Sequence, residues 1–275
     1  MDTLCKNTGQ SLSTEFLEAE WNSQPYRLAL LARFTDKENM KAAPLLFWFT
    51  GFRSNMRGKK AERVDQWAVR KGLGFVRFDY SGHGESEGCF EECTISRWLS
   101  DALHVITQSG QKNILIIGSS MGGWLAILVA RLLKEQRPDI LITGLVLLAP
   151  AVNLTEELIW KRLPMNYQET LKKQGRIMLP YPDDKNLVPI SEELIEDGQK
   201  YLLYKDFLVL DTSIHIIQGK QDETVPWHMA QTLFENLPQD PVRLTFINDA
   251  THHLEREQDL EILEKALEDM LEEAG

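Results

Sequence analysis

Asn113-Ile114-Leu115-Ile116-Ile117-Gly118-Ser119-Ser120-Met121-Gly122-Gly123-Trp124 is the stretch that decides the fold. An apolar run ends at Gly118, and from Met121 to Gln136 apolar residues recur at helical spacing. The reading is a buried strand, a tight turn and a helix, with Ser120 at the apex. Gly118 and Gly122 frame that serine in the pattern G-x-S-x-G. Small residues at those two places let strand and helix approach closely enough to hold one hydroxyl exposed on a strained turn.

Working outward, comparable apolar runs occupy Phe16 to Trp21, Arg27 to Phe34, Leu45 to Thr50, Gly74 to Asp79, Gly144 to Ala149, Ser213 to Gly219 and Arg243 to Asn248. The first two read as an antiparallel pair. Amphipathic stretches near Lys59 to Lys71, Ser96 to Gln108, His228 to Asn236 and Leu254 to Glu273 have the lengths of right-handed crossovers. Apolar runs alternating with helical patterns predict an α/β architecture: a mostly parallel, eight-stranded sheet flanked by helices. Residues 1–275 read as one domain. From Asn153 to Asp211 the strand signal fades, and Pro164, Pro180, Pro182 and Pro189 punctuate amphipathic segments. This insertion is expected to be a lid over the site.

With 30 Lys+Arg against 41 Asp+Glu the net charge is -11, the wrong sign to attract a phosphate backbone or an anionic bilayer. Nucleic acid is not an expected partner. The apolar runs are far shorter than the roughly 18 residues of a membrane-spanning helix, so stable membrane insertion is not expected. Met1 to Glu20 holds no apolar leader, which points to the cytoplasm. Cys5, Cys89 and Cys93 form no disulfide framework and no zinc-spaced set, so they read as free or partly buried thiols. Gly82, Gly84 and Gly88 miss the dinucleotide fingerprint, since Glu87 stands at its third glycine, and no phosphate-binding G-x-x-x-x-G-K-[ST] loop is present. No cofactor or metal is expected.

A serine hydroxyl is a weak nucleophile and needs a base, itself oriented by a third group. Asp222 follows the Ser213 to Gly219 strand, and His252 lies between the last strand and the last helix. Both fall, like Ser120, at carboxyl ends of strands, where an open α/β sheet builds its site. Asp211 and Asp240 precede their strands, whereas Asp249 and His253 remain rivals to Asp222 and His252. His83, His104, His215 and His228 read as structural, with His228 the nearest of them to the site. The oxyanion formed on attack needs two N–H donors: Met121, after the serine, and Phe52, in Thr50-Gly51-Phe52 after the third strand.

Gly51 to Gly58 (GFRSNMRG), Arg77 to Gly82 (RFDYSG), Gly118 to Trp124 (GSSMGGW) and Asp222 to His228 (DETVPWH) resemble the α/β-hydrolase superfamily. Within it they are similar to the mitochondrial α/β-hydrolase-domain acyl-protein thioesterases, also described as acyl-glucuronide esterases. The resemblance implies triad roles for Ser120, Asp222 and His252, oxyanion roles for Phe52 and Met121, and cleavage of esters or acyl thioesters. A small-molecule or acylated substrate is the expected partner. Trp160, Met165, Tyr167, Met178, Tyr181 and Tyr201 in the lid form either an acyl-binding wall or lid packing. Arg53, Arg57, Lys59 and Lys60 either meet an anionic group on the substrate or make a solvated face. The alternatives to a serine esterase are a serine peptidase and a catalytically silent scaffold that binds a small molecule or protein.

Overall fold

The computed structural model describes residues 13–35, 43–181, 184–204 and 208–274. Cys5 and Pro182 lie outside them. Eight strands form the main sheet: β1 (Glu15–Trp21), β2 (Gln24–Arg33), β3 (Leu45–Phe49), β4 (Phe75–Phe78), β5 (Asn113–Ser119), β6 (Leu141–Leu148), β9 (Ile214–Gly219) and β10 (Val242–Ile247). Their spatial order is β1-β2-β4-β3-β5-β6-β9-β10. β1 pairs antiparallel with β2, and β2 with β4, while every pairing from β4 to β10 is parallel. Fold class and strand count agree with the reading of the sequence.

The uniformly apolar strands are explained by burial on both faces. Along β3, Leu46 and Trp48 join a core layer with Ala61, Val64, Trp67, Leu263, Leu267 and Met270. Those residues belong to α1 (Lys59–Lys71) and α7 (Glu257–Ala274). Leu45, Phe47 and Phe49 point the other way, into a layer with Trp98, Val105, Leu125 and Leu128. Those side chains come from α2 (Ile95–Ser109) and α3 (Met121–Gln136). A further helix, α6 (Trp227–Glu235), joins β9 to β10.

The insertion after β6 contains a π-helical turn over Leu154–Ile159, α4 (Met165–Gln174), a two-stranded ribbon of β7 (Arg176–Tyr181) with β8 (Asp184–Ser191), and α5 (Glu192–Gly198). The ribbon departs from the sequence reading, in which the strand signal fades there. Pro180 and Pro189 suppress that signal, yet a ribbon with two open edges accommodates residues that lack an N–H. Asp197 of α5 ties the insertion to α2 by accepting from Ser96 N–H at 2.7 Å and Ser96 Oγ at 2.6 Å.

Candidate active site

Ser120 sits between β5 and α3 with φ +54° and ψ −119°, a backbone conformation that only surrounding structure can impose. Its N–H donates to Leu148 C=O at 2.9 Å, and its C=O accepts from Gly123 N–H at 2.9 Å and Ala151 N–H at 3.0 Å. The turn is therefore anchored in the neighbouring strand as well as in its own helix. A Cβ on Gly118 would lie 2.5 Å from Gly122 C=O, and one on Gly122 would run into the Phe49 and Thr50 carbonyls. Close backbone approach excludes any larger residue at either place.

His252 precedes α7 and places its ring between two groups that the sequence had paired with it. Its Nε2 lies 3.1 Å from Ser120 Oγ and its Nδ1 lies 2.7 Å from Asp222 Oδ2. A carboxylate only accepts, so Nδ1 carries the proton and Nε2 is left to accept from the Ser120 hydroxyl. Asp222, 5% exposed, is held in turn by Val225 N–H at 2.7 Å on Oδ1 and by Gln218 Nε2 at 3.0 Å on Oδ2.

The rival carboxylates are engaged elsewhere. Asp249 pairs with Arg256, Asp240 accepts from the Leu210 and Asp211 N–H groups, and Asp211 pairs with Lys134. His253 is exposed, and its C=O accepts from Lys60 Nζ. His228 is exposed beside the Trp227 ring and lines neither of the cavities described below.

Of the four histidines read as structural, His83 is the one that bonds the loop beside Ser120. It is 4% exposed in the loop between β4 and α2, and burial pushes its imidazole down to about 4. Its Nδ1 faces Ser81 C=O at 3.2 Å, and its Nε2 accepts Arg53 N–H at 3.2 Å. No periodicity signals this contact, because it depends on two loops meeting across the edges of β3 and β4.

The loop after β3 passes directly beside the serine. A Cβ on Gly51 would meet Ser120 Cβ at 3.3 Å and Oγ at 3.9 Å. Ser54 N–H closes on Gly51 C=O at 3.1 Å, and Arg53 at the third position has φ +62°, the signature of a type II turn. Further along the loop, Met56 N–H donates to Asp79 Oδ1 at 2.6 Å and Met56 C=O accepts from Arg77 at 3.2 Å. Burial raises the Asp79 carboxyl above its ordinary range and lowers the Arg77 guanidinium. Met121, whose N–H opens α3, and Phe52, in the turn, thus flank Ser120 from two sides.

Two cavities meet at Ser120 and Phe52. One, of about 280 Å³, is a polar cleft lined by Arg53, Asn55, Lys60, His252, His253 and Glu255 among others. The other, of about 580 Å³, lies under the insertion and is lined chiefly by Leu154, Leu158, Ile159, Leu163, Val188 and Ile190. Of the lid residues singled out in the sequence, Tyr167 lines this cavity. Met165 and Met178 are exposed, Trp160 packs under Lys172, and Tyr201 bonds Ser96 Oγ. The side chain of Tyr181 lies outside the described residues. Among the described residues no helix is long and apolar enough to cross a membrane.

Comparison with known proteins places the fold. The Bos taurus protein named palmitoyl-protein thioesterase ABHD10, mitochondrial, is 25% identical over 233 residues, covering 84% of this chain and 74% of its own. A crystal structure from Agrobacterium vitis S4, named as a hydrolase, is 33% identical with a TM-score of 0.90 over 95% of this chain and 100% of that one. Mouse alpha/beta hydrolase domain-containing protein 10 superposes with a TM-score of 0.82 at 24% identity, over 96% of this chain and 100% of that one. The family model Hydrolase_4, described as serine aminopeptidase, S33, matches residues 54–192, a span that takes in Ser120 and ends before Asp222 and His252. With half of its length matched by that model and an α/β-hydrolase sheet around it, the chain belongs to the Hydrolase_4 family of α/β hydrolases.

Proposed function

We propose that this protein is a serine hydrolase that cleaves carboxylic esters or acyl thioesters through an acyl-enzyme on Ser120. The observation that carries the reading is the His252 ring, which bridges Ser120 Oγ and Asp222 Oδ2 at 3.1 and 2.7 Å. Ser120 Oγ attacks the carbonyl carbon while His252 Nε2 takes its proton, and Asp222 stabilises the resulting imidazolium. Phe52 and Met121 N–H groups receive the oxyanion. His252 returns the proton to the departing oxygen or sulfur, and the same Nε2 then deprotonates the water that releases the acid.

The two cavities orient the substrate. The leaving group must collect its proton from His252, which lines the polar cleft and not the apolar cavity. The alcohol or thiol portion therefore exits through the cleft, and the acyl chain lies under the lid. An aliphatic cavity of about 580 Å³ is within the size range of pockets that enclose a whole small ligand, and it favours an apolar acyl group over a peptide. The name of the Bos taurus relative, a palmitoyl-protein thioesterase, points to the same acyl class. That name also carries a mitochondrial address, so a cytoplasmic one rests on the sequence reading alone.

The test is labelling of the purified chain by a fluorophosphonate, with Ser120→Ala as control, beside hydrolysis of acetyl to palmitoyl oxygen esters and thioesters. Labelling that Ser120→Ala abolishes, with preference for longer acyl chains, is expected. Folded protein that takes no label from neutral to mildly alkaline pH would leave the silent-scaffold reading. Aminoacyl amides cleaved faster than esters would favour the peptidase that the family description names.

A further inference from the structure

We propose that His83 is a positioning residue for the oxyanion-binding turn, fixing Phe52 by accepting the next backbone N–H, that of Arg53. The proposal rests on the esterase reading above, since only an oxyanion gives the turn its task.

Gly51 to Ser54 lies outside the sheet ladders: β3 ends at Phe49, and Ser54 N–H closes the turn on Gly51 C=O. Its third residue is an arginine with φ +62°, where glycine is the residue at ease. An L-residue there relaxes toward negative φ by rotating the Phe52–Arg53 peptide unless something holds that peptide's N–H. His83 Nε2, at 3.2 Å, is its acceptor.

The ring is itself fixed from behind. Nδ1–H donates to Ser81 C=O, which also receives Trp98 Nε1–H at 3.1 Å. Ser81 N–H and Oγ donate to Asp101 of α2 at 2.8 and 2.6 Å, and Asp101 also accepts from Tyr26 Oη at 2.5 Å. The His83 ring stands edge-on to Phe90 and to Trp98, both at 5.2 Å, and these two rings also clasp Phe52 at 5.2 and 5.9 Å. One buried assembly thus grips the side chain of Phe52 and the amide beyond it. The imidazole works only neutral and protonated on Nδ1, because an Nε2–H would oppose the Arg53 N–H as donor against donor.

Two substitutions separate the bonds. His83→Gln can place a carbonyl oxygen near the Nε2 position and keep the acceptor for Arg53. His83→Asn reaches the Nδ1 position, keeps the bond to Ser81 and loses Arg53. With 4-nitrophenyl butyrate, His83→Asn is expected to lower kcat about 10²-fold with KM within about threefold, as expected for a donor displaced by a fraction of an ångström. Its rate of fluorophosphonate labelling should fall in parallel, because the phosphonyl oxygen occupies the same hole. His83→Gln should recover kcat to within about fivefold of wild type. Equal losses in the two variants, or His83→Asn labelling at the wild-type rate, would overturn the proposal.

Nitrogen-15 chemical shifts of the His83 ring in the unmodified protein give a result that depends on no variant. A protonated Nδ1 with an unprotonated Nε2 is expected, and the opposite tautomer would overturn the proposal. Absence of labelling in the wild type would refute the esterase reading instead, while the ring shifts would still report whether Nε2 is an acceptor.

Discussion

Replacing Asp222 by Asn keeps shape and volume and changes only what the two terminal atoms can do. In the wild type Oδ1 accepts from Val225 N–H at 2.7 Å, and Oδ2 accepts from Gln218 Nε2 at 3.0 Å and His252 Nδ1 at 2.7 Å. The amide has two ways to sit. With its oxygen toward Val225, its NH₂ faces Gln218 and His252, and His252 must move its proton to Nε2, where it can no longer accept from Ser120. With its oxygen toward His252 the tautomer is preserved, but the buried Val225 N–H then faces another donor. Gln218 Nε2 keeps acceptors on Gly219 C=O at 3.1 Å and Val225 C=O at 3.0 Å, so the first arrangement loses less. The difference is about 1–3 kcal/mol, the cost of one buried unsatisfied group. Loss of the charge-assisted bond to the imidazolium adds about 1.5–3 kcal/mol. Together these predict a fall in kcat/KM of roughly 10²- to 10⁴-fold. The assay is hydrolysis of 4-nitrophenyl butyrate, with Ser120→Ala as the floor and thermal unfolding as the check on folding. A folded Asp222→Asn within about threefold of wild type would refute the reasoning.

Burial pushes both His83 and His215 down to about 4, so the unfolded chain binds protons that the folded chain refuses between roughly pH 6.5 and 4. Stability from these groups is present above pH 6.5 and is lost as pH falls through that window, on the order of 3 kcal/mol per imidazole. The Tm of His215→Gln should therefore fall less from pH 7 to 4.5 than that of wild type, and equal slopes in a scanning-fluorimetry series would contradict the burial argument. Gly122→Ala drives a methyl into the carbonyls of Phe49 and Thr50, neither of which is a flexible side-chain end. A loss of about 1–3 kcal/mol in urea unfolding, together with lower activity, is expected, and full stability would show that the elbow is not closely packed. Leu158→Trp fills the cavity under the lid, so kcat/KM for a dodecanoyl ester should drop about tenfold or more while acetyl ester stays within threefold. An unchanged chain-length profile would place the acyl group elsewhere.

The sheet was legible because every one of its strands announces itself locally. Leu45 to Phe49 is apolar throughout, which in a chain of alternating helices means burial from both sides, and Leu46 and Phe47 do face opposite layers. The serine turn was legible because glycine spacing records how closely β5 and α3 approach. The insertion resisted reading for a physical reason: its contacts are set by which side faces the sheet. Met165 and Met178, large and apolar in sequence, lie on the outer side, and plain aliphatics line the inner one. The choice of His228 over His83 failed for a related reason. Position at a helix start near a strand end is a statement about one element, whereas His83 matters through a turn thirty residues earlier, met only in three dimensions.

That contrast bears on where precision in this site comes from. Ser120 is held by backbone bonds to β6 and α3, and Asp222 by Val225 N–H and Gln218, so both inherit the rigidity of the central sheet. The turn at Gly51 to Ser54 has no ladder to inherit from. Beside its own Ser54-to-Gly51 bond, it is held by His83 at Arg53 N–H, and the loop that follows is held at Met56 by Asp79 and Arg77. Burial carries an electrostatic cost, visible in the raised Asp79 carboxyl and the lowered His83 and Arg77. Groups that burial shifts in this way persist where their hydrogen bonds offset that cost. Here those bonds converge on the loop that, in the proposed mechanism, meets the developing negative charge without reorganising.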